Sequence, residues 1–303
     1  MAAAIARTDE AVRRLLNATP TPLDLLRGTA GRRPDHAALL FVRDASNPDP
    51  QGLTYVQLLE KVERVAAAFA GLGIDAEDAV ALLLPSVPDT AIALIAATAV
   101  GVAFPMNPLL SADAIRAQLI LARAKAVVTV GDHTVLDVRA RVADAADGAG
   151  IPIVELPIGT PRPGAMRWEE LLETQPRPLP PPDPDRVAAL FHTGGTTGDP
   201  KLAQLTARNV AAGALMAASG AAWRDEDRLL CALPLFHVGG SIDVLLSGLA
   251  AGGTIVFPGL FGMRDPAVAS NIWSIVERTK ATILGAVPTS LAAIQNVPVG
   301  DAD

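Results

Sequence analysis

The feature that most limits what this chain can fold into is an alternation. Short apolar runs rich in valine and isoleucine recur between longer stretches whose apolar residues repeat at helical spacing. A strand buried on both faces needs a near-continuous apolar run, whereas a helix packed on it needs only one apolar stripe. The alternation therefore specifies an α/β class, with layered sheets and helices packed on them. The runs predict strands at residues 79–84, 102–105, 126–130, 151–154, 187–192, 228–232, 254–257 and 281–284. Helices are predicted over 58–72, 90–100, 112–123, 134–146, 207–219, 240–250 and 266–278, several with Asp, Ser or Thr near the start. The most hydrophobic stretch, 90–104, contains Gly101 and is too short to cross a bilayer, so it is expected to form a core helix and no transmembrane segment is predicted.

Composition narrows the function classes. The chain has 303 residues, half of them hydrophobic, which is ample for a packed core. A net charge of −7 provides no broad positive field for nucleic acid or anionic membrane. The single cysteine, Cys231, forbids an intrachain disulfide, and the N-terminal residues lack the apolar stretch of a signal peptide, so the expected compartment is the cytoplasm. Four scattered histidines and one cysteine give no metal-ligand spacing, so no metal-ligating residue is assigned.

Two segments read as punctuation. Residues 175–185, QPRPLPPPDPD, hold too many prolines for a helix or a central strand and predict a stiff connector. A boundary there gives a first subdomain of residues 1–178 and a second of 179–303. Residues 43–52, with Asn47, Pro48, Asp49, Pro50 and Gly52, predict an exposed loop between two early strands.

Just after the connector comes VAALFHTGGTTGDPKLAQLTARNV, residues 187–210. An apolar strand ends at a polar turn, and a helical pattern resumes after Leu205. Between them Gly194, Gly195 and Gly198 remove side chains where a backbone must approach a ligand, and Thr193, Thr196 and Thr197 supply hydroxyls. Backbone N–H groups and hydroxyls together cradle phosphate oxygens, Lys201 adds a point charge, and Pro200 stiffens the chain beside it. The pattern G-x-x-x-x-G-K-[ST] is not met, because Pro200 precedes Lys201 and Leu202 follows it, which argues against a conventional P-loop nucleotide hydrolase.

The run T-G-G-T-T-G-D-P-K, residues 193–201, closely resembles the signature loop of the adenylate-forming superfamily, which includes acyl-CoA synthetases, aryl-CoA ligases, luciferases and nonribosomal peptide adenylation domains. It departs from that signature at Gly194, where the family usually has Ser, and at Leu202, where it usually has Gly; these mark a subgroup. Further blocks in the family's order are 53–69, 80–108, the strand, P-L-F-H turn and helix of 229–257, and the Val-Pro-Thr segment of 283–294.

The resemblance implies the N-terminal domain portion of the acyl-CoA synthetase-like fold. It also implies ATP-dependent activation of a carboxylic acid, expected to be a fatty acid, to an acyl-adenylate and then an acyl-CoA thioester. ATP and Mg²⁺ are the implied cofactors and CoA the co-substrate. Thr193, Gly194, Gly195, Thr196, Thr197, Gly198 and Lys201 would bind the ATP phosphates. Phe236, His237, Val238, Gly239 and Gly240 would form the substrate pocket, with His237 and Lys201 in catalytic roles. The family's adenine-binding segment, Mg-associated glutamate, ribose-binding aspartate and mobile lid domain with its lysine have no counterpart here, so the chain is expected to be an N-terminal piece with little turnover alone. The partners expected are a small carboxylic acid, ATP and CoA; association with further copies is compatible with the sequence. Two other readings stand beside this one: an adenylation domain loading a carrier protein, and a noncatalytic piece that binds a nucleotide or a partner.

Overall fold

The computed structural model describes residues 2–146, 149–179, 181, 183–193 and 201–299, with side chains from residue 9 onward. The strands in chain order are β1 (Ala37–Phe41), β2 (Gln51–Thr54), β3 (Ala79–Leu82), β4 (Val102–Pro105), β5 (Ala124–Val130), β6 (Ile153–Leu156), β7 (Met166–Arg167), β8 (Val187–Thr193), β9 (Lys201–Thr206), β10 (Arg228–Cys231), β11 (Thr254–Phe257) and β12 (Ile283–Gly285). The chain divides into two compact units: one of Met1–Leu59, Pro85–Ala91 and Arg208–Asp303, the other of Glu60–Leu84 and Ile92–Ala207. Residues 175–185 fall within the chain range of the second unit.

The second unit holds a seven-stranded sheet of order β7-β6-β5-β3-β4-β8-β9, parallel throughout except for the antiparallel pair β8–β9. Its central strands β3 and β4 are buried at every residue, as their unbroken apolar runs require. The expected core helix forms over Pro88–Val100 and is buried along most of its length, the position of a helix that is apolar on all sides. Gly101 turns it directly into β4. A Cβ at that position would sit 2.6 Å from the Asp78 carbonyl oxygen, so any larger residue would force the backbone apart. Arg186 closes the helix's C-terminal end, donating to the carbonyls of Gly101 at 2.6 Å and Thr98 at 2.5 Å, where a cation meets both orphan acceptors and the negative end of the helix dipole. Within the same unit Arg139 and the fully buried Glu155 form an ion pair, and Glu155 also accepts from the Arg162 backbone N–H at 2.9 Å.

The first unit holds a five-stranded sheet of order β12-β10-β11-β1-β2, parallel except for β1–β2. Tyr55, wholly buried, donates its hydroxyl to the Gly253 carbonyl at 2.6 Å and so ties the helix Tyr55–Gly71 to the turn entering β11. Burial raises its phenol well above the ordinary range. His36 lies beside it. Its Nδ1 faces the Arg33 guanidinium at 3.2 Å and its Nε2 faces Thr254 Oγ1 at 3.3 Å, while that hydroxyl donates to the Ala37 carbonyl at 2.7 Å. A guanidinium can only donate, so Nδ1 accepts and Nε2 carries the proton to Thr254.

Several elements differ from the sequence reading for identifiable reasons. Residues 201–206, which in sequence continue the turn up to the helix, form the edge strand β9. Its side chains alternate only weakly in character, and its strand form comes from pairing with β8. The segment 240–250 is a π-helix over Gly239–Leu246 followed by an α-helix over Ser247–Ala251. The stretch 266–278 splits into Pro266–Ser270 and Ile272–Thr279, parted at Asn271. The helix predicted from 134 begins at Val138, because His133 Nδ1 accepts from the N–H groups of Val135 and Leu136 and holds a turn ahead of it. Helices at Ala2–Ala18 and Pro22–Arg32 were not predicted; the second starts at Thr21, whose side chain accepts from the Asp24 N–H.

Candidate functional site

Both site segments singled out in the sequence sit at the carboxyl ends of parallel strands, each in its own unit. Open α/β sheets bind ligands at such strand ends. In the second unit, β8 ends at Thr193 and the antiparallel β9 starts at Lys201. The two residues are directly paired across the strands, and Thr193 Oγ1 donates to the Lys201 carbonyl at 3.3 Å. The hairpin thus brings Thr193 and Lys201 together at the two ends of the connecting loop. Gly194, Gly195, Thr196, Thr197 and Gly198 lie outside the described residues. Lys201 is exposed and borders a cleft of about 1360 Å³ in this unit, whose walls include Ile74, Val100, Leu121, Arg186 and Leu202. Its ammonium group is therefore at an open surface.

In the first unit the segment after β10 folds as a tight turn leading into the π-helix. The His237 N–H donates to the Pro234 carbonyl at 3.1 Å, and the His237 carbonyl accepts from the N–H groups of Gly240 and Ser241 and from Ser241 Oγ, each at 3.0 Å. Gly240 is required here, since a Cβ would lie 2.3 Å from the Pro234 carbonyl oxygen. Upstream, Ser86 Oγ accepts from the Leu235 N–H at 3.3 Å and anchors the turn from the side. The imidazole itself is exposed, with Nδ1 accepting from the Gly239 N–H at 3.1 Å. In the neutral ring the proton therefore sits on Nε2, which is left to donate outward. Phe236, Val238 and Gly239 are half-buried around it, and Gly240 is buried.

One charged residue near this turn is not among those singled out in the sequence. Asp243 is exposed on a π-helix whose residues from Gly240 to Leu246 are otherwise buried. Partial burial pushes its carboxyl above the usual carboxylate range, an effect that the nearby His237 imidazole offsets in part. A signal was available: between Arg228 and Arg264, Asp243 is the only acidic or basic side chain apart from His237. Cys231, by contrast, is buried, its thiol pushed up to about 12, and it is not a nucleophile.

Comparison with known proteins decides the family. The model of the family described as AMP-binding enzyme matches residues 26–302. The chain belongs to this family. A marinolic acid–CoA ligase from Pseudoalteromonas sp. (strain SANK 73390) is 33% identical over 261 residues, covering 82% of this chain and 39% of the relative. A sulfoacetate–CoA ligase from Cupriavidus necator is 32% identical over 278 residues, covering 88% of this chain and 52% of the relative. Among solved structures, acetoacetyl-CoA synthetase from Streptomyces lividans superposes with a TM-score of 0.76 at 26% identity, over 91% of this chain and 43% of that one. Apo MatB from Rhodopseudomonas palustris gives 0.76 at 22% identity, over 93% and 52%, a likeness of fold. The chain spans about half or less of the length of these relatives. This membership agrees with the adenylate-forming resemblance and the α/β fold expected of its N-terminal portion. No helix among the described residues is long and apolar enough to cross a membrane.

Proposed function

We propose that this chain is the N-terminal part of an ATP-dependent acid–thiol ligase, which joins a carboxylic acid to AMP and then passes the acyl group to CoA. The observation that carries the reading is the β8–β9 hairpin. It pairs a threonine and a lysine across the mouth of a loop whose sequence, GGTTGDP, supplies glycines and hydroxyls between them. In the first step a carboxylate oxygen attacks the α-phosphorus of ATP, forming the acyl–phosphate bond and releasing pyrophosphate. Two anions must meet, so donors that hold the departing β- and γ-phosphates lower the barrier by taking up the charge that develops on them. Thr193, Gly194, Gly195, Thr196, Thr197, Gly198 and Lys201 have this role in our reading. In the same reading His237, with Phe236, Val238, Gly239 and Gly240, faces the acid and donates Nε2–H to a carboxylate oxygen; the Gly239 N–H on Nδ1, which leaves the proton on Nε2, supports this. In the second step the CoA sulfur attacks the acyl carbon and AMP leaves. Among the described residues no group of three or more His, Cys, Asp or Glu side chains converges, and Mg²⁺ bound with a nucleotide takes most of its ligands from phosphate and water. Mg²⁺ is assigned as the counter-ion that accompanies ATP, and no step is derived through it. A cytoplasmic location suits these substrates.

The reading is tested by mixing the full-length protein with ATP, Mg²⁺, CoA and a broad panel of carboxylic acids and measuring pyrophosphate release. Acid-dependent release is expected. Silence across the panel overturns the assignment.

A further inference from the structure

The π-helix Gly239–Leu246 carries one ionised side chain on a wall that is otherwise glycine, serine and aliphatic. Among the described residues the Asp243 carboxylate makes neither a hydrogen bond nor an ion pair. Its backbone carbonyl accepts from Ser247 Oγ, and Asp243 follows the His237 turn on the same π-helix, one turn on from Gly239. The wider π-turn shapes this arrangement: such turns are rare, recur at functional sites and shift the direction in which side chains leave the helix. Here Asp243 alone of the residues after Gly239 is turned out to the exposed side, with the imidazole of His237, while its neighbours Ile242 and Val244 are buried.

A carboxylate with no hydrogen bond among the described residues, next to the proposed acid-binding turn, discriminates strongly. An acid with a plain hydrocarbon tail would strip water from Asp243 and give nothing back, leaving a charged acceptor unsatisfied. An acid whose tail bears a protonated amine would replace that water with a charge-assisted hydrogen bond. We propose that Asp243 is a specificity-determining residue that makes the enzyme select carboxylic acids bearing a distal amino group over unsubstituted fatty acids. This rests on the reading of His237 and its neighbours as the acid-binding wall. His237 then meets the carboxylate to be activated, and Asp243 meets the far end of the same molecule.

The test uses the full-length protein and pyrophosphate release with a series of amino-bearing acids, aliphatic and aromatic, each beside its unsubstituted parent. At the best chain length the amino-bearing acid is expected to exceed its parent in kcat/KM by about tenfold to a hundredfold, the scale of one charge-assisted hydrogen bond at an exposed carboxylate. Asp243→Asn should narrow that gap, and Asp243→Leu should reverse it by raising kcat/KM for the parent acid while lowering it for the amino acid. Because Asp243 is exposed, both variants are expected to fold, and an unchanged melting temperature checks this. Preference of the wild type for the parents throughout, or an equal effect of Asp243→Leu on both members of each pair, overturns the inference and leaves the ligase reading intact. Absence of pyrophosphate release with every acid overturns the ligase reading and this inference together.

Discussion

The phosphate hairpin and the histidine turn serve one proposed reaction but are built in opposite ways. In the hairpin the proposed role falls on Thr193 and Lys201 at the ends of two paired strands; Lys201 is at the surface and β9 is an edge strand. In the turn the proposed role falls on one exposed imidazole, and what surrounds it is held by close packing and hydrogen bonds, among them the Gly240 approach to the Pro234 carbonyl and the Ser86 hydroxyl that accepts from the Leu235 N–H. Substitutions in the hairpin should therefore cost activity with little effect on stability. Substitutions in the turn should separate into those that strike the ring and those that strike its frame.

The largest effect is expected at Lys201. Lys201→Ala in the full-length protein should lower the rate of pyrophosphate release by about a hundredfold to a thousandfold, the scale for removing one group that stabilises developing charge. The melting temperature should stay unchanged because the side chain is exposed. A parallel loss of stability would mean that the hairpin is a structural staple and would erase the contrast. Next comes Gly240→Ala, which drives a Cβ into the Pro234 carbonyl and should cost about 1–3 kcal/mol in chemical denaturation. A variant as stable as the wild type would show that the turn can open.

His237→Ala should leave stability nearly untouched, since the ring is exposed and accepts only the Gly239 N–H, while reducing kcat/KM about tenfold. The smallest effect concerns acid. The His36 pKa is lowered, first by burial and then by Arg33, so the unfolded chain takes up a proton before the folded one does. The stabilisation from neutral His36 is complete above the ordinary histidine value of 6.5 and is lost as pH falls from there to the depressed folded value. The first unit should loosen slightly below neutral pH in denaturation monitored against pH, and His36→Gln should flatten that slope. No such slope in the wild type would remove His36 from the frame of this unit.

The parts of this molecule that could be read from sequence were those in which one local rule dominated. The apolar runs of β3, β4 and β11 match the predicted strands within two residues, because a strand covered on both faces admits only apolar side chains. The loop composition around residues 193–201 pointed to phosphate on its own, since glycine and threonine beside a lysine are a chemical statement before they are a structural one. β9 was different. KLAQLT has no strong alternation, and it became a strand because β8 offered its free edge. The π-helix was likewise invisible, because α and π turns need the same apolar residues and differ only in which carbonyl each N–H finds.

Sequence alone therefore determined the α/β class, the family and the residue types available to each site, through burial and local chemistry. Tertiary structure decided the pairing of Thr193 with Lys201, the tautomer of His237 and the outward position of Asp243. The first depends on the register of a hairpin and the last on the choice between α and π hydrogen bonding, while the tautomer depends on the turn that brings the Gly239 N–H to Nδ1; residue types alone do not fix any of the three.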